Sequence, residues 1–368
     1  MLPGYRVEFF DLLAAACERG LDVFAGDPQP DENIQPGTDL KIARYTRADN
    51  RHFSNPQSIF YRCWQENILQ WLADWDPDVL IVEANPRYPT TFDAVRWMKT
   101  RRRPVIGWGL GAPSTPGLSG LWRSRQRRRM LASLDGMIAY SQHGAQEYRE
   151  LGFPEHGLFV ATNAVNPKPG GPIPDRPSDV SGRLLVLFVG RLQPRKRVDD
   201  LLHACAALPN DLQPRLSIIG DGPARESLEK LARQVYPAAE FPGARYGKHL
   251  DQCFAEADLF VLPGTGGLAI QQAMSFGLPV VVAEGDGTQG DLVREGNGWI
   301  VPDRQVGQLS AVLKAALSDV PRLREMGAES YLIVEIEINL EAMVSVFVEA
   351  MSKVSPAAAE KLDVGNEY

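Results

Sequence analysis

A basic segment in the second half of the chain has the residue types of an anion site. Phe188–Val198 reads as an apolar strand that ends at Gly190 and is followed by the cations Arg191 and Lys196. A glycine turn between a strand and a helix can direct backbone N–H groups at a phosphate, to which Arg adds forked hydrogen bonds and Lys a point charge. A solvated basic turn explains this segment equally well when it is taken alone.

A glycine-rich loop lies farther along the chain, between an apolar run and a helical pattern. The residues of interest in the loop and the following helix are Gly264, Thr265, Gly266, Gly267, Leu268 and Gln272. Glycine lets a backbone approach a ligand closely, and a helix N-terminus attracts negative charge. A helix-entry turn without any ligand is the alternative interpretation.

A third segment, the Gly-Asp-Gly-Pro turn at 220–223, lies between the other two. A tight turn followed by a capped helix explains this segment fully, so on its own it is a weak signal. The three segments in this order and at these separations are far more specific than any one of them.

Short apolar runs alternate with helical patterns in both halves of the chain, which predicts an α/β protein with parallel sheets. Runs such as 79–82, 184–189 and 259–262 are continuous and bounded by Pro or Gly, as in strands buried on both faces. We therefore predict two facing Rossmann-like domains with the ligand site in their cleft. The predicted boundaries are a first domain at 1–165, a Pro- and Gly-rich linker at 166–182, a second domain at 183–320, C-terminal helices at 321–352 and a tail at 353–368.

The composition limits the classes of partner and compartment. A net charge of -7 over 368 residues argues against nucleic acid as the main partner. No apolar stretch is long enough to span a membrane, and no signal-peptide core follows Met1, so we expect a cytoplasmic protein. The four cysteines form no CxxC pair, and we expect neither a disulfide nor a metal site. Basic clusters at 99–103 and 123–129 fit either a solvated helix face or peripheral contact with the inner membrane face.

The three segments resemble those of glycosyltransferase family 4, a group of enzymes with the GT-B fold. The resemblance covers most of the chain and is strongest over 184–303, where the loop 284–288 also lies at a position where the family has a similar one. It implies transfer of a sugar from a nucleotide diphosphate sugar to a saccharide or lipid-linked acceptor, in cell-surface polysaccharide or glycolipid synthesis. It further implies retained anomeric configuration, no metal or other cofactor, and a C-terminal helix that crosses back to the first domain.

The resemblance also implies roles for individual residues. Gly190, Arg191 and Lys196 match the family's segment for the donor diphosphate, and the loop 264–268 with Gln272 matches its donor sugar and ribose site. The family usually has two glutamates at the positions that are Gly264 and Gln272 here, in a Pro-Gly-x-x-Gly-Leu variant of the loop. No catalytic residue is identified, and a reaction assisted by the leaving phosphate needs no separate base.

Three residues of the first half are acceptor-side candidates, namely Arg87, Trp108 and His143. A Trp in a glycine loop can stack on a sugar face, although a core Trp is an equally good interpretation. A His at the start of a helix more commonly has no ligand. The family's first strand is not recognised before the helical pattern at 7–17, so either the start is wrongly assigned or the first sheet lacks its central strand.

Two other functions stay open at this point. The chain could be a GT-B relative that binds a nucleotide or a protein without transferring a sugar, which Gly264 and the unrecognised first strand favour. It could also be a sugar-nucleotide epimerase, which would act on the donor without an acceptor. A dinucleotide oxidoreductase is disfavoured, because no Gly-x-Gly-x-x-Gly follows the first predicted strand.

Overall fold

The computed structural model describes residues 1–27, 37–54, 58, 61–113, 117–179 and 182–355. These residues divide into two compact units. Unit 1 is Met1–Val165 together with the segment that begins at Leu340, and unit 2 is Asn166–Asn339. Each unit has its own hydrophobic core.

Unit 1 contains a four-stranded parallel sheet and two sheets of two strands each. In chain order its strands are β1 (Asp22–Ala25), β2 (Arg44–Arg47), β3 (Asn50–Phe53), β4 (Arg62–Gln65), β5 (Leu80–Glu83), β6 (Val105–Gly109), β7 (Gly136–Ala139) and β8 (Leu158–Val160). The larger sheet has the order β5-β6-β7-β8, whereas β1 pairs in parallel with β2, and β3 pairs antiparallel with β4. Among the described residues, β1 and β5 therefore lie in separate sheets.

Helices cover the four-stranded sheet of unit 1. They include α1 (Val7–Ala15), α2 (Ile68–Trp75), α3 (Pro89–Thr100), α4 (Leu118–Leu131) and α5 (Gln142–Glu150). Alternate residues of β5 enter two different apolar clusters: Ile81 packs with α1, whereas Leu80 and Val82 pack with α2 and α3. Because successive side chains of a strand point to opposite faces, this sheet has apolar partners on both faces.

Unit 2 contains a six-stranded parallel sheet of the order β11-β10-β9-β12-β13-β14. Its strands are β9 (Leu185–Val189), β10 (Arg215–Ile219), β11 (Ala239–Gly243), β12 (Leu259–Leu262), β13 (Val280–Ala283) and β14 (Gly298–Val301). Every residue of β12 and β13 is buried, as the continuous apolar runs predict for strands covered on both faces. Its helices are α6 (Val198–Ala206), α7 (Arg225–Val235), α8 (Lys248–Glu256), α9 (Leu268–Ser275), α10 (Gln289–Leu292), α11 (Val306–Leu317) and α12 (Val320–Ile336).

This strand order is that of a Rossmann sheet, in which the chain direction of strand addition reverses between β9 and β12. The loops after these two strands consequently leave adjacent carboxyl ends and diverge to opposite sides. Ligands of open parallel sheets bind at such a reversal point. The two segments that the sequence marks for chemistry, 190–196 and 264–268, are these two loops.

The C-terminal helices divide between the two units. Helix α12 packs on α9 and α11 in unit 2, whereas α13 (Leu340–Val354) packs on α1, β7 and β8 in unit 1. The final helix thus returns to the first domain, as the resemblance implied. The buried residues Leu340, Met343, Phe347 and Ala350 place one face of α13 in the core of unit 1. In the part of the chain that the structure describes, no helix combines the length and apolar character of a membrane span.

Candidate active site

Three hydrogen bonds join the loop after β9 to the loop after β12. The Lys196 Nζ donates to the main-chain oxygen of Thr265 at 2.6 Å, and the Arg195 guanidinium donates to Thr265 Oγ1 at 3.0 Å. The Thr265 N–H in turn donates to the main-chain oxygen of Arg195 at 3.2 Å. The structure therefore brings Lys196 and Thr265, which are 69 residues apart in sequence, into one site.

The surroundings of Lys196 disfavour its positive charge, and a bound anion would offset that cost. Burial and, to a smaller extent, the neighbouring positive charge of Arg195 lower the pKa of the Lys196 ammonium group to about 8, while Asp286 opposes the shift. Burial disfavours a charged group, so the protonated form is destabilised relative to water. A diphosphate beside Lys196 would replace the lost solvation with direct charge pairing.

Gly264 is held where no side chain fits. A Cβ at this buried position would collide with the main-chain oxygen of Arg195 and would lie 2.6 Å from the carbonyl carbon of Lys196. A glutamate here would require the two loops to separate. The close approach of the loops therefore gives a physical reason why Gly264 departs from the family's usual glutamate.

Gly266 contributes a second backbone constraint to the same loop. Its φ of +140° lies in the region that favours glycine, and an added Cβ would lie 2.5 Å from Lys196 Nζ. Gly267 ends the loop and precedes Leu268, the first residue of α9. The N-terminus of α9 thus begins directly after the loop that Lys196 contacts, where the helix dipole favours an anion.

The Gly-Asp-Gly-Pro turn supports the loop after β9 from the other side. The Leu192 N–H donates to the main-chain oxygen of Asp221 at 2.9 Å, and the Gly190 N–H donates to that of Ile219 at 3.0 Å. Both glycines of the turn have positive φ, and a Cβ on Gly220 would collide with the main-chain oxygen of Gly190. The half-buried Arg191 lies between these two anchored residues, so the backbone that carries it is fixed on both sides.

Gln289, the first residue of α10, contacts the glycine loop, and the sequence interpretation did not single it out. The Gln289 Nε2 donates to the main-chain oxygen of Gly266 at 2.9 Å, and Gln289 is almost fully buried. Its Oε1 has no hydrogen-bond partner among the described residues. Thr288 Oγ1 donates to Asp286 Oδ1 at 2.6 Å in the loop that precedes α10. The resemblance over 284–288 was the available signal, but it ends one residue before Gln289.

Two adjacent glutamines on α9 have different environments. Gln271 is fully buried, accepts from the Asn166 N–H at 3.2 Å and donates to the main-chain oxygen of Ile338 at 3.1 Å. Gln272, the residue predicted to bind ribose, is half-buried on the same helix. Gln271 therefore joins segments of unit 2, whereas Gln272 stays the candidate for the ligand.

The acceptor-side candidates of unit 1 lie in three different environments. Trp108 packs in an aromatic cluster, with ring centroids 5.6 Å from Phe9, 5.2 Å from Tyr140 and 5.1 Å from Phe347. The guanidinium of Arg6 lies 5.2 Å from the Trp108 ring centroid. These contacts favour the core interpretation of Trp108 over stacking on a sugar.

Arg87 and His143 are both exposed. The backbone of Arg87 is fixed by its N–H, which donates to Asn85 Oδ1 at 3.1 Å, and by its main-chain oxygen, which accepts from Cys63. His143 lies in the first turn of α5, with Nε2 3.5 Å from Glu147 Oε1 one turn later. No contact among the described residues joins these two side chains to each other or to Trp108.

Comparison with known proteins gives a family match for the second half of the chain. Residues 174–332 match the family model of glycosyl transferases group 1. A GDP-mannose-dependent alpha-mannosyltransferase of Mycobacterium tuberculosis is 36% identical over 149 residues, which are 39% of this chain and 36% of the relative. The putative colanic acid biosynthesis glycosyltransferase WcaL of Escherichia coli is 26% identical over 193 residues, which are 49% of this chain and 47% of the relative. These matches span less than half the length of either relative.

Solved structures extend the fold assignment to nearly the whole chain. The Anabaena protein Alr3699/HepE, solved in complex with UDP, superposes with a TM-score of 0.69 at 16% identity, covering 90% of this chain and 99% of its own. At this identity the likeness concerns the fold alone. The match to glycosyl transferases group 1 thus covers residues 174–332, and the chain has the GT-B fold with two Rossmann-like domains.

Proposed function

We propose that the protein is a glycosyltransferase that moves a sugar from a nucleotide diphosphate sugar to an acceptor bound by unit 1. The observation that carries this proposal is the contact between Lys196 and the Thr265 loop at the strand reversal of a Rossmann sheet. A largely buried cation held against a glycine loop that leads into a helix suits a diphosphate. The names of the relatives are consistent with this, since one uses GDP-mannose and HepE binds UDP.

Each residue of the site has a role in this proposal. Arg191 and Lys196 stabilise the negative charge that grows on the diphosphate as the bond to the sugar breaks. The backbone of Gly190 and of the loop 264–268 positions the donor, and Gln272 holds the ribose by a hydrogen bond. Two fixed cations supply the charge compensation that a metal gives in other transferases, so we propose transfer without a metal.

The donor loop also bears on stereochemistry. With no carboxylate at Gly264, the loop offers the donor sugar its backbone groups and, as its one polar side chain, the Thr265 hydroxyl, which already accepts a hydrogen bond from Arg195. We propose that the anomeric configuration is retained and that an oxygen of the leaving diphosphate accepts the acceptor proton. No protein base is then needed, which agrees with the absence of an obvious candidate in the sequence.

Helix α4 supports an acceptor at a lipid surface. It has basic residues and no acidic one, with Arg125, Arg128 and Arg129 exposed. Two large apolar side chains, Leu121 and Trp122, are 70% and 49% exposed on the same helix. Basic and apolar exposure on one helix is typical of contact with an anionic membrane interface. We propose that α4 brings unit 1 to the cytoplasmic face of the membrane, where cell-surface polysaccharides or glycolipids are assembled.

The test is transfer by the whole protein without added metal. Nucleotide sugars carrying UDP, GDP or ADP are incubated with lipid-linked or polysaccharide acceptors, and the new anomeric linkage is determined by NMR. The proposal predicts release of one nucleoside diphosphate together with an acceptor-linked sugar of unchanged configuration. Nucleotide binding with neither transfer nor hydrolysis would instead support the non-catalytic binding partner. Conversion of the donor sugar without any acceptor would support the epimerase.

A further inference from the structure

Helix α4 has two basic faces that differ in burial. Arg123 and Arg127 are one helical turn apart, are both half-buried, and share a stripe of the helix with the buried Met130. We call this stripe the inner face of α4. The exposed Arg125 and Arg128 lie on the opposite stripe, the outer face. The cations of the inner face are therefore directed towards unit 1 and not towards open solvent.

The Arg127 guanidinium joins α4 to the loop that follows β6. It donates from Nη1 to the main-chain oxygen of Pro113 at 2.7 Å. The same loop is held by α5, because the Ala112 N–H donates to Glu147 Oε2 at 2.7 Å. Arg127 therefore contacts a fixed backbone at the carboxyl edge of the four-stranded sheet, and open parallel sheets bind their ligands at this edge.

A third cation, Arg87, follows β5, the strand that pairs in parallel with β6. Its main-chain oxygen accepts from the Cys63 N–H in β4 at 3.0 Å. Arg62, the residue before Cys63, places its guanidinium 5.4 Å from the centroid of the Trp122 ring in α4. Strand β4 thus contacts both the loop that carries Arg87 and the helix that carries the other two cations.

The positive charges of these three arginines act on one another without a carboxylate partner. Burial and, to a smaller extent, the charges of Arg123 and Arg87 lower the pKa of the Arg127 guanidinium. Tyr148 and Glu147 oppose this shift, but the Glu147 carboxylate already accepts a hydrogen bond from the loop after β6. None of the three arginines forms an ion pair with a described residue of unit 1. A bound anion would offset this unbalanced charge.

We propose that Arg87, Arg123 and Arg127 bind a phosphate group of the acceptor, in the form of a phosphate monoester or a diphosphate. Guanidinium groups bind phosphate oxygens through forked hydrogen bonds. Three of them match a group that carries about two negative charges better than the singly charged phosphodiester of a bilayer lipid. This inference rests on the proposed function, because it names the chemical class of the acceptor. It assigns the inner face of α4 to the acceptor and leaves the outer face for the lipid surface.

The first arm of the test measures binding of farnesyl phosphate, below its micelle concentration, to the whole protein without nucleotide or metal. NMR signals of the arginine Nε–H groups, assigned by single substitutions, locate the bound phosphate. The proposal predicts shifted signals for Arg87, Arg123 and Arg127 and unshifted signals for Arg125 and Arg128. Farnesol lacks the phosphate and should bind at least about tenfold more weakly, since it makes no charge-assisted hydrogen bond.

The second arm compares variants of the two faces by calorimetry with farnesyl phosphate. Arg123→Gln combined with Arg127→Gln keeps N–H donors but removes two charges, so the affinity should fall at least about tenfold. The matched control, Arg125→Gln combined with Arg128→Gln, removes the same charge from the outer face and should keep the affinity. Arg87→Gln leaves the packing of α4 intact, because Arg87 is exposed, and should lose about fivefold in affinity.

The third arm separates the two sources of phosphate. Dibutyryl phosphatidylglycerol, a soluble phosphodiester, should bind at least about fivefold more weakly than farnesyl phosphate. The proposal would be overturned by failure of farnesyl phosphate to bind, by equally tight binding of farnesol or of the phosphodiester, or by equal losses in the inner-face and outer-face variants. Binding of farnesyl phosphate at the three arginines, with no sugar transfer to any acceptor, would support the phosphate site and would contradict the proposed transfer alone.

Discussion

The ammonium group of Lys196 lies 2.6 Å from the main-chain oxygen of Thr265, and this contact closes the loop after β9 onto the loop after β12. The loop after β9 carries the basic residues of the candidate diphosphate site. The loop after β12 carries the glycines that bring the backbone close to a donor. Because the Lys196 side chain is largely buried, its charge is costly when no anion is present. The contact therefore sets both the shape and the electrostatics of the site.

The lowered pKa of Lys196 predicts a specific pH dependence of donor binding. In the free protein burial lowers this pKa from 10.5 to about 8, so the side chain is charged below pH 8 and loses its proton above it. A bound diphosphate favours the charged form and raises the pKa. We expect affinity for the nucleoside diphosphate to fall as the pH rises beyond 8.

Calorimetry at a pH of about 9, in buffers of different ionisation enthalpy, checks this prediction. At this pH the free Lys196 is mostly neutral, so binding of the diphosphate should be coupled to the uptake of a proton. The matched control is Lys196→Met, which keeps the length of the side chain but has nothing to titrate. We expect the variant to bind more weakly and to take up no proton. Equal proton uptake by the variant would assign the titration to another group.

Gly264→Ala tests the close approach of the two loops. A Cβ at this position meets the main-chain oxygen of Arg195, so we expect a loss of about 1–3 kcal/mol in the free energy of unfolding, as for other overpacked sites. Gly264→Glu should lose at least as much and should not gain activity. Gly171→Ala is the control, because nothing lies within 4 Å of a Cβ there. Urea unfolding measures all three, and an unchanged midpoint for Gly264→Ala would mean that the loops separate easily.

Gln289→Leu tests the residue at the start of α10 that the sequence interpretation missed. This change removes the Nε2 donor to the main-chain oxygen of Gly266 and the Oε1 that has no partner among the described residues. Loss of one hydrogen bond predicts donor affinity reduced by about fivefold to tenfold. Gln234→Leu, at an exposed position on α7, should bind the donor as the wild type does. If Gln289→Leu also binds normally, this residue lies outside the donor site.

Replacement of Arg125, Arg128 and Arg129 on α4 by glutamine tests contact with a lipid surface. Each exposed cation near an anionic membrane contributes about 1 kcal/mol, so the triple variant should bind phosphatidylglycerol vesicles about 100-fold more weakly. Co-sedimentation measures the binding, with phosphatidylcholine vesicles and raised salt as controls. Replacement of three exposed basic residues of unit 2 should have no such effect. Vesicle binding that survives the triple change would refute a role for α4.

The sequence predicts the second domain better than the first, for a physical reason. The strands β9, β12 and β13 are continuous apolar runs, so their burial on both faces is readable from the residue types alone. In contrast, β2 reads Arg-Tyr-Thr-Arg and has no buried residue, so no hydrophobic pattern marks it. The division of the last two helices at 337–339 was likewise not predicted, because both helices carry apolar faces and the pattern does not say which core each one enters.

The side-chain contacts of the candidate site could likewise be predicted only in part from the sequence. Glycines and cations at the ends of β9 and β12 mark the two loops in sequence, and the strand order then brings them together. That Lys196 bonds to Thr265, and that Gln289 supports Gly266, depends on loop paths that no local pattern encodes. The glycines on either side of Trp108 left two interpretations of this residue, and only its aromatic neighbours in the structure favour one of them.

The most direct test of the central claim is calorimetric titration with UDP, GDP and ADP in the absence of metal. It compares the wild type with Arg191→Ala at the donor site and with Arg215→Ala at the opposite, amino-terminal end of a strand in the same sheet. Loss of a charge-assisted contact predicts that one nucleotide binds the wild type and Arg215→Ala alike but binds Arg191→Ala at least about tenfold more weakly. Failure of all three nucleotides to bind, or equal binding by all three proteins, would contradict the donor site proposed for unit 2.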